Sequence, residues 1–168
     1  MMENRVLVTG ATGFIGHALV DRLAGEGSPV RAASRRMVED FPANVETAVV
    51  GDLTPDFDWR ATLAGVDSIV HCAARVHVMK ELAPDSLAEF RLINTAGTLN
   101  LARQAAGAGV RRLVFISSIG VNGTETFGNS DKCVNEPPHL RFEPSMPMII
   151  KQLRGQVFAP EANHILAV

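Results

Sequence analysis

Thr9-Gly10-Ala11-Thr12-Gly13-Phe14-Ile15-Gly16 sets three glycines three residues apart. The chemistry such a segment offers is that of exposed backbone amides. Gly10 permits a tight turn, Gly13 lets a pyrophosphate approach N–H groups, and Gly16 allows a helix to pack closely on a strand. A helix opening there adds a partial positive charge for an anion. The spacing is G-x-x-G-x-x-G rather than G-x-G-x-x-G. The alternative is a glycine-rich turn that binds nothing, and a strand before it with a helix after it speaks against that. Ser34-Arg35-Arg36 is a second candidate, with two guanidinium forks and no acid until Glu39. Such forks pair with phosphate in bidentate fashion, whereas a carboxylate would repel it. Two solvated surface arginines are the other reading. Cys72 and Cys133 show no metal-type spacing, and no metal site is expected. His71 lies in an apolar run and reads as a satisfied core histidine. His17 reads as a solvated helix residue and His77 as a surface one.

These groups need elements to hold them. Arg5–Thr9 reads as a buried strand, followed by a helix over Gly13–Ala24 with Ile15, Ala18, Leu19 and Leu23 at helical spacing. Strands are predicted at Pro29–Ser34 and Val45–Val50, and a short helix at Asp58–Leu63. A fourth strand spans Ser68–Ala73, a long helix Pro84–Ala106, and a fifth strand Arg112–Ser117. Alternating strands and helices predict an α/β, Rossmann-like, doubly wound parallel sheet. It is expected to be incomplete, with five recognisable strands. In that fold the phosphate loop holds a dinucleotide, and the end of the second strand selects NAD or NADP. An acid there binds the ribose 2′-OH, while an arginine accepts a 2′-phosphate. Ser34 and Arg35 therefore predict NADP as the preferred cofactor over NAD.

Composition removes other classes. The net charge is −2 and the hydrophobic fraction 46%, giving no general pull toward nucleic acid or an anionic membrane. No apolar run reaches the length of a membrane span, and the first residues run straight into a strand, leaving no room for a signal peptide. A cytoplasmic protein is the expectation.

Residues 5–123 resemble the extended short-chain dehydrogenase/reductases, the NAD-dependent epimerase/dehydratase group. The resemblance rests on the glycine loop and on Gly51-Asp52-Leu53, His71-Cys72-Ala73-Ala74, Asn94-Thr95-Ala96-Gly97-Thr98 and Phe115-Ile116-Ser117-Ser118-Ile119-Gly120-Val121-Asn122-Gly123. It implies that Asp52, with Leu53 beside it, contacts the adenine, and that Ala73 and Ala74 lie under the nicotinamide ribose. It also implies that Asn94 is a structural asparagine near the active site, that Ser117 lies beside the nicotinamide and that Ser118 is the catalytic serine. Other readings stay open: Asp52 as a turn residue, and Ala73 and Ala74 as strand-end packing. Within the group the segments around His71, Leu99 and Ser117 are most similar to UDP-glucose 4-epimerase-like proteins and UDP-sugar 4-reductases, implying a nucleotide-sugar substrate.

The group's Tyr-x-x-x-Lys is absent, because the 168 residues contain no tyrosine. Of the later lysines, Lys132 and Lys151, the second has Pro147 four residues before it. The sixth strand and the substrate region are not recognisable, and hydride-transfer chemistry is expected to be lost. A catalytically silent NADP-binding sensor that docks to a partner is the alternative. With the tyrosine-bearing helix missing, the group's four-helix homodimer is not expected. The division is a nucleotide-binding domain over residues 1–123 and a divergent tail over 124–168, holding five of the nine prolines. Within the tail, Met148–Phe158 has the spacing of a short amphipathic helix. The joint loss of motif, periodicity and composition after Gly123 predicts a change of reading frame between Gly123 and Pro144, with a functional new tail as the other reading.

Overall fold

A computed structural model describes residues 4–75, 86–116 and 164–167. Six parallel strands form one sheet in the order β3-β2-β1-β4-β5-β6. They are β1 (Arg5–Thr9), β2 (Val30–Ser34), β3 (Val45–Val49), β4 (Val66–His71), β5 (Arg112–Phe115) and β6 (His164–Ala167). Helix α1 (Phe14–Gly25) links β1 to β2, and the short α2 (Arg60–Leu63) precedes β4. Between β4 and β5 runs a helix of three parts: α3 (Ser86–Phe90), a π-helical stretch (Arg91–Gly97) and α4 (Thr98–Gly107).

Alternation along the strands explains why both faces are covered. In β1, Leu7 joins Ile69, Leu113, Leu101 and Ala102 on the α4 side, while its neighbour Val8 joins Val20, Val30 and Ala32 on the α1 side. Strands buried on both faces need helices on both, which is the doubly wound arrangement predicted. Trp59 and Phe57 meet edge to face at 4.8 Å between ring centroids beside the α4 layer. Asn100 and Gln104 on α4 pin that loop: Asn100 Nδ2 and Gln104 Nε2 both donate to the Phe57 carbonyl at 2.8 Å.

Three differences from the predicted elements have physical causes. Strand β4 starts two residues before the predicted Ser68 and ends two before Ala73. Gly65, at φ 70°, turns the chain into the sheet early, and beyond the Cys72 N–H bond to the Thr9 carbonyl the Ala73 amide turns to the Thr9 hydroxyl instead of a backbone partner. The long helix is not α-helical throughout, and its predicted start at Pro84 lies outside the described residues. The expectation that no sixth strand exists is corrected by β6, which pairs in parallel with β5 from Arg112↔His164 to Phe115↔Ala167. The short run His164-Ile165-Leu166-Ala167 carries no glycine loop or long periodic helix beside it to flag it in sequence. The amphipathic helix expected over Met148–Phe158 lies outside the described residues.

Candidate functional site

All strands being parallel, their C-terminal ends share one edge of the sheet, and the candidate residues gather there. The chain leaves β1 through Gly10 at φ 65°, a left-handed conformation that side chains rarely adopt. A Cβ on Gly10 would stand 2.7 Å from the Ala73 nitrogen, so the β1 and β4 ends touch backbone to backbone. A Cβ on Gly16 would stand 2.2 Å from the Gly10 carbonyl oxygen, so only glycine lets α1 start this close to the turn. Gly13 precedes α1; no side chain caps the helix and no acid lies in its first turn. Thr12, Gly13, Phe14 and Ile15 are exposed, Phe14 almost completely at 96%. Open N-terminal amides, a helix dipole and two glycines with no room for a Cβ fit a bound pyrophosphate.

At the end of β2, the buried Ser34 hydroxyl donates to the Arg36 carbonyl at 2.5 Å and shapes the turn that projects Arg35. The Arg35 guanidinium is exposed and lies 3.5 Å from the Asp52 carboxylate. The two residues that motif reasoning treated separately thus meet across the ends of β2 and β3. Leu53 is buried, and its carbonyl packs on the long helix at Gly97, where a Cβ would come within 2.3 Å.

Ala73 is half-buried and Ala74 exposed beyond β4. Asn94 holds the next residue as a second backbone strand would. Its Oδ1 accepts the Arg75 N–H at 2.7 Å and its Nδ2 donates to the Arg75 carbonyl at 3.0 Å. Asn94 sits within the π-helical stretch, and irregularities of this kind re-aim side chains at functional sites. The Arg75 guanidinium lies over the Phe90 ring, 5.7 Å from its centroid. Ser117 and Ser118 lie outside the described residues, as does His77. Ile116, just before the serines, donates its N–H to the His71 carbonyl at 3.0 Å at this same edge.

His71 is fully buried, bonded to the Thr9 hydroxyl through Nδ1 at 2.6 Å and to the Thr98 hydroxyl through Nε2 at 3.0 Å. Its ring stacks on Phe115, and burial pushes its pKa down to about 4. It is a neutral core residue, as its apolar surroundings in the sequence predict. Burial raises the Cys72 thiol, which is the opposite of an activated nucleophile. His17 Nδ1 lies 3.1 Å from Asp21 on the partly exposed face of α1. Among the described residues no three or more His, Cys, Asp or Glu side chains converge as a metal site, and no helix is long and apolar enough to cross a membrane. A groove of about 600 Å³ lined by Asp56, Asp58, Arg60, Gly65, Gln104 and Ala108 opens elsewhere, beside the start of β4.

Sequence reasoning missed Thr9, Thr98 and the cation–π partner Phe90. Their partners are distant in sequence, and only Thr9, the last residue before the glycine turn, carried a positional hint.

With a parallel α/β sheet and a glycine cradle at its C-terminal edge established, comparison with known proteins places the chain. Residues 6–147 match the NAD dependent epimerase/dehydratase family, and the chain belongs to it. A UDP-glucose 4-epimerase of Vibrio cholerae is 42% identical over 126 residues, 74% of this chain and 38% of that protein. A 3-beta-hydroxysteroid dehydrogenase of Mycolicibacterium neoaurum is 38% identical over 135 residues, 73% of this chain and 36% of that protein. Among solved structures, MoeE5 in complex with UDP-glucose and NAD superposes with a TM-score of 0.62 at 31% identity, covering 79% of this chain and 42% of that one. The chain therefore spans well under half the length of these relatives.

Proposed function

We propose that this chain is the dinucleotide-binding part of a nucleotide-sugar epimerase, dehydratase or reductase, that it prefers NADP to NAD, and that as it stands it binds cofactor without transferring hydride. The observation that carries this reading is the Gly10–Gly16 cradle, where two absent Cβ atoms let the turn pack closely on β4 and α1, and an uncapped helix start leaves amides for a pyrophosphate. The amides of Phe14 and Ile15 would hold it, since the Gly13 N–H already donates to the Gly10 carbonyl at 2.9 Å; Asp52 and Leu53 would flank the adenine, and Ala73 and Ala74 would floor the nicotinamide ribose. A bound dinucleotide supplies a hydride acceptor or donor. Ser118 would orient a substrate oxygen, but the 168 residues contain no tyrosine to take its proton. The nucleotide-sugar class is supported by the Vibrio relative and by the UDP-glucose bound to MoeE5; the steroid dehydrogenase relative marks the competing class.

The NADP preference is supported by Arg35, exposed at the end of β2 with no acid beside it in sequence. Asp52 tempers it, since a 2′-phosphate arriving there competes with that carboxylate. An exposed pair of this length contributes ~1 kcal/mol or less, and a bidentate phosphate contact exceeds it. A second reading, the silent NADP-binding sensor, gains support from β6: a strand covers the β5 edge that a merely broken enzyme would leave open.

Titration calorimetry with both cofactors tests the proposal. NADP is expected to bind about tenfold tighter than NAD, with the advantage lost in Arg35→Ala. Tighter NAD binding, or NADP binding indifferent to that substitution, contradicts the charge assignment. With cofactor saturating, turnover of UDP-glucose is expected at background; steady turnover abolished by Ser118→Ala would show that another group serves as base.

A further inference from the structure

The cradle is only as well placed as the ends of β1 and β4, and one buried side chain ties those ends together. Thr9 is the last residue of β1 and directly precedes the Gly10 turn. Its carbonyl accepts the Cys72 N–H at 3.2 Å, and its hydroxyl oxygen accepts the Ala73 N–H at 3.3 Å. Having accepted there, the hydroxyl has its proton to give, and His71 Nδ1 lies 2.6 Å away. The imidazole is then the neutral tautomer with its proton on Nε2, which donates to the Thr98 hydroxyl at 3.0 Å. That assignment satisfies each member of a chain running from Ala73 through Thr9 and His71 to α4, with Thr9, His71 and Thr98 all buried. The His71 carbonyl in turn accepts from Ile116 beyond β5.

We propose that His71 is a positioning residue for the dinucleotide site: through the Thr9 hydroxyl it fixes the glycine turn against the Ala73–Ala74 floor. The inference rests on the cofactor-binding reading above and deepens it. Gly10 and Ala73 are in such close backbone contact that a Cβ on Gly10 would meet Ala73 at 2.7 Å, so a small shift between the two ends moves donors and floor relative to each other. His71 touches no part of the cradle itself. Its influence passes through Thr9, which distinguishes it from a binding residue. The pyrophosphate cradle serves NAD and NADP equally, so losing the link weakens both by the same factor, unlike the loss of Arg35.

The test compares the full chain with Thr9→Val, Thr9→Ser and Ile69→Val by titration calorimetry and amide hydrogen exchange. Thr9→Val keeps the shape but removes the hydroxyl, Thr9→Ser restores it, and Ile69→Val trims the same buried strand away from the link. Thr9→Val is expected to weaken NAD and NADP alike by about tenfold and to speed exchange at Ala73, the loss expected for one buried hydrogen-bonded link. Thr9→Ser is expected to bind as the parent does, and Ile69→Val within about twofold of it. Should Thr9→Val fail to fold, His71→Gln reads the same link, since its amide can reach Thr98 but not Thr9. If the parent binds and Thr9→Val binds equally well, or Ile69→Val weakens binding as much, the positioning role is overturned and the cofactor reading stands. If the parent binds neither dinucleotide, the cofactor reading fails and the positioning role falls with it.

Discussion

Glycines 10 and 16 were readable from sequence because what they do is local: a turn and a close packing each demand the missing Cβ at a fixed spacing. The residues that hold the cradle in place were not readable in this way. His71 announces its burial through its apolar neighbours, but its partners Thr9 and Thr98 lie 62 and 27 residues away in the chain. Asn94 was legible as a structural asparagine, while its partner, the Arg75 backbone, was not. The buried imidazole also makes stability depend on pH. Its pKa falls from 6.5 to about 4 on folding, so the unfolded chain takes up a proton that the folded chain refuses. Its contribution is therefore constant above about pH 6.5, declines as pH drops toward about 4, and then levels off with ~3 kcal/mol lost. Chemical denaturation between about pH 6.5 and 5 is expected to show a slope approaching ~1.4 kcal/mol per unit from this group, reduced in His71→Gln. Equal slopes in the two proteins would mean that His71 is protonated in the fold.

At the scale of elements, five strands and the first helix were legible, because strands buried on both faces and an amphipathic helix leave strong periodic signals. The helix between β4 and β5 shows the limit of that reading. Its apolar positions fit a single α-helix, yet Arg91–Gly97 widens to a π-helical stretch that carries Asn94 and brings Gly97 onto the Leu53 backbone. Periodicity averages over such a stretch. A Cβ at Gly97 would lie 2.3 Å from the Leu53 carbonyl oxygen and 2.9 Å from its carbonyl carbon, and backbone cannot swing aside as a side chain can. Gly97→Ala is thus expected to destabilise the fold by about 2 kcal/mol or more, despite alanine's better helix propensity. It should also displace Leu53 and Asp52 from the proposed adenine contact. Unchanged or raised thermal stability in Gly97→Ala would contradict the close packing of this helix on the β3–α2 connection.

Over the whole molecule, the sheet has one rich edge, where the C-terminal ends of β1, β2, β4 and β5 bring together the cradle, Arg35, Ala73 and the approach to Ser117. The 600 Å³ groove beside Asp56, Gly65 and Ala108 opens at the opposite end, next to the start of β4. Volume alone would direct a ligand there. The proposed dinucleotide site lies at the other edge, where helix amides are open and Arg35 supplies positive charge. These two placements separate cleanly in one experiment, an amide correlation spectrum of the 15N-labelled chain recorded while NADP is added to saturation. Shifts concentrated at Gly10, Gly13, Phe14, Ile15, Gly16, Ala73 and Ala74, with Arg35 and Asp52 following, are the predicted result. A spectrum unmoved at those amides, or one whose shifts cluster at Asp56, Gly65 and Ala108, would contradict the assignment of the dinucleotide site.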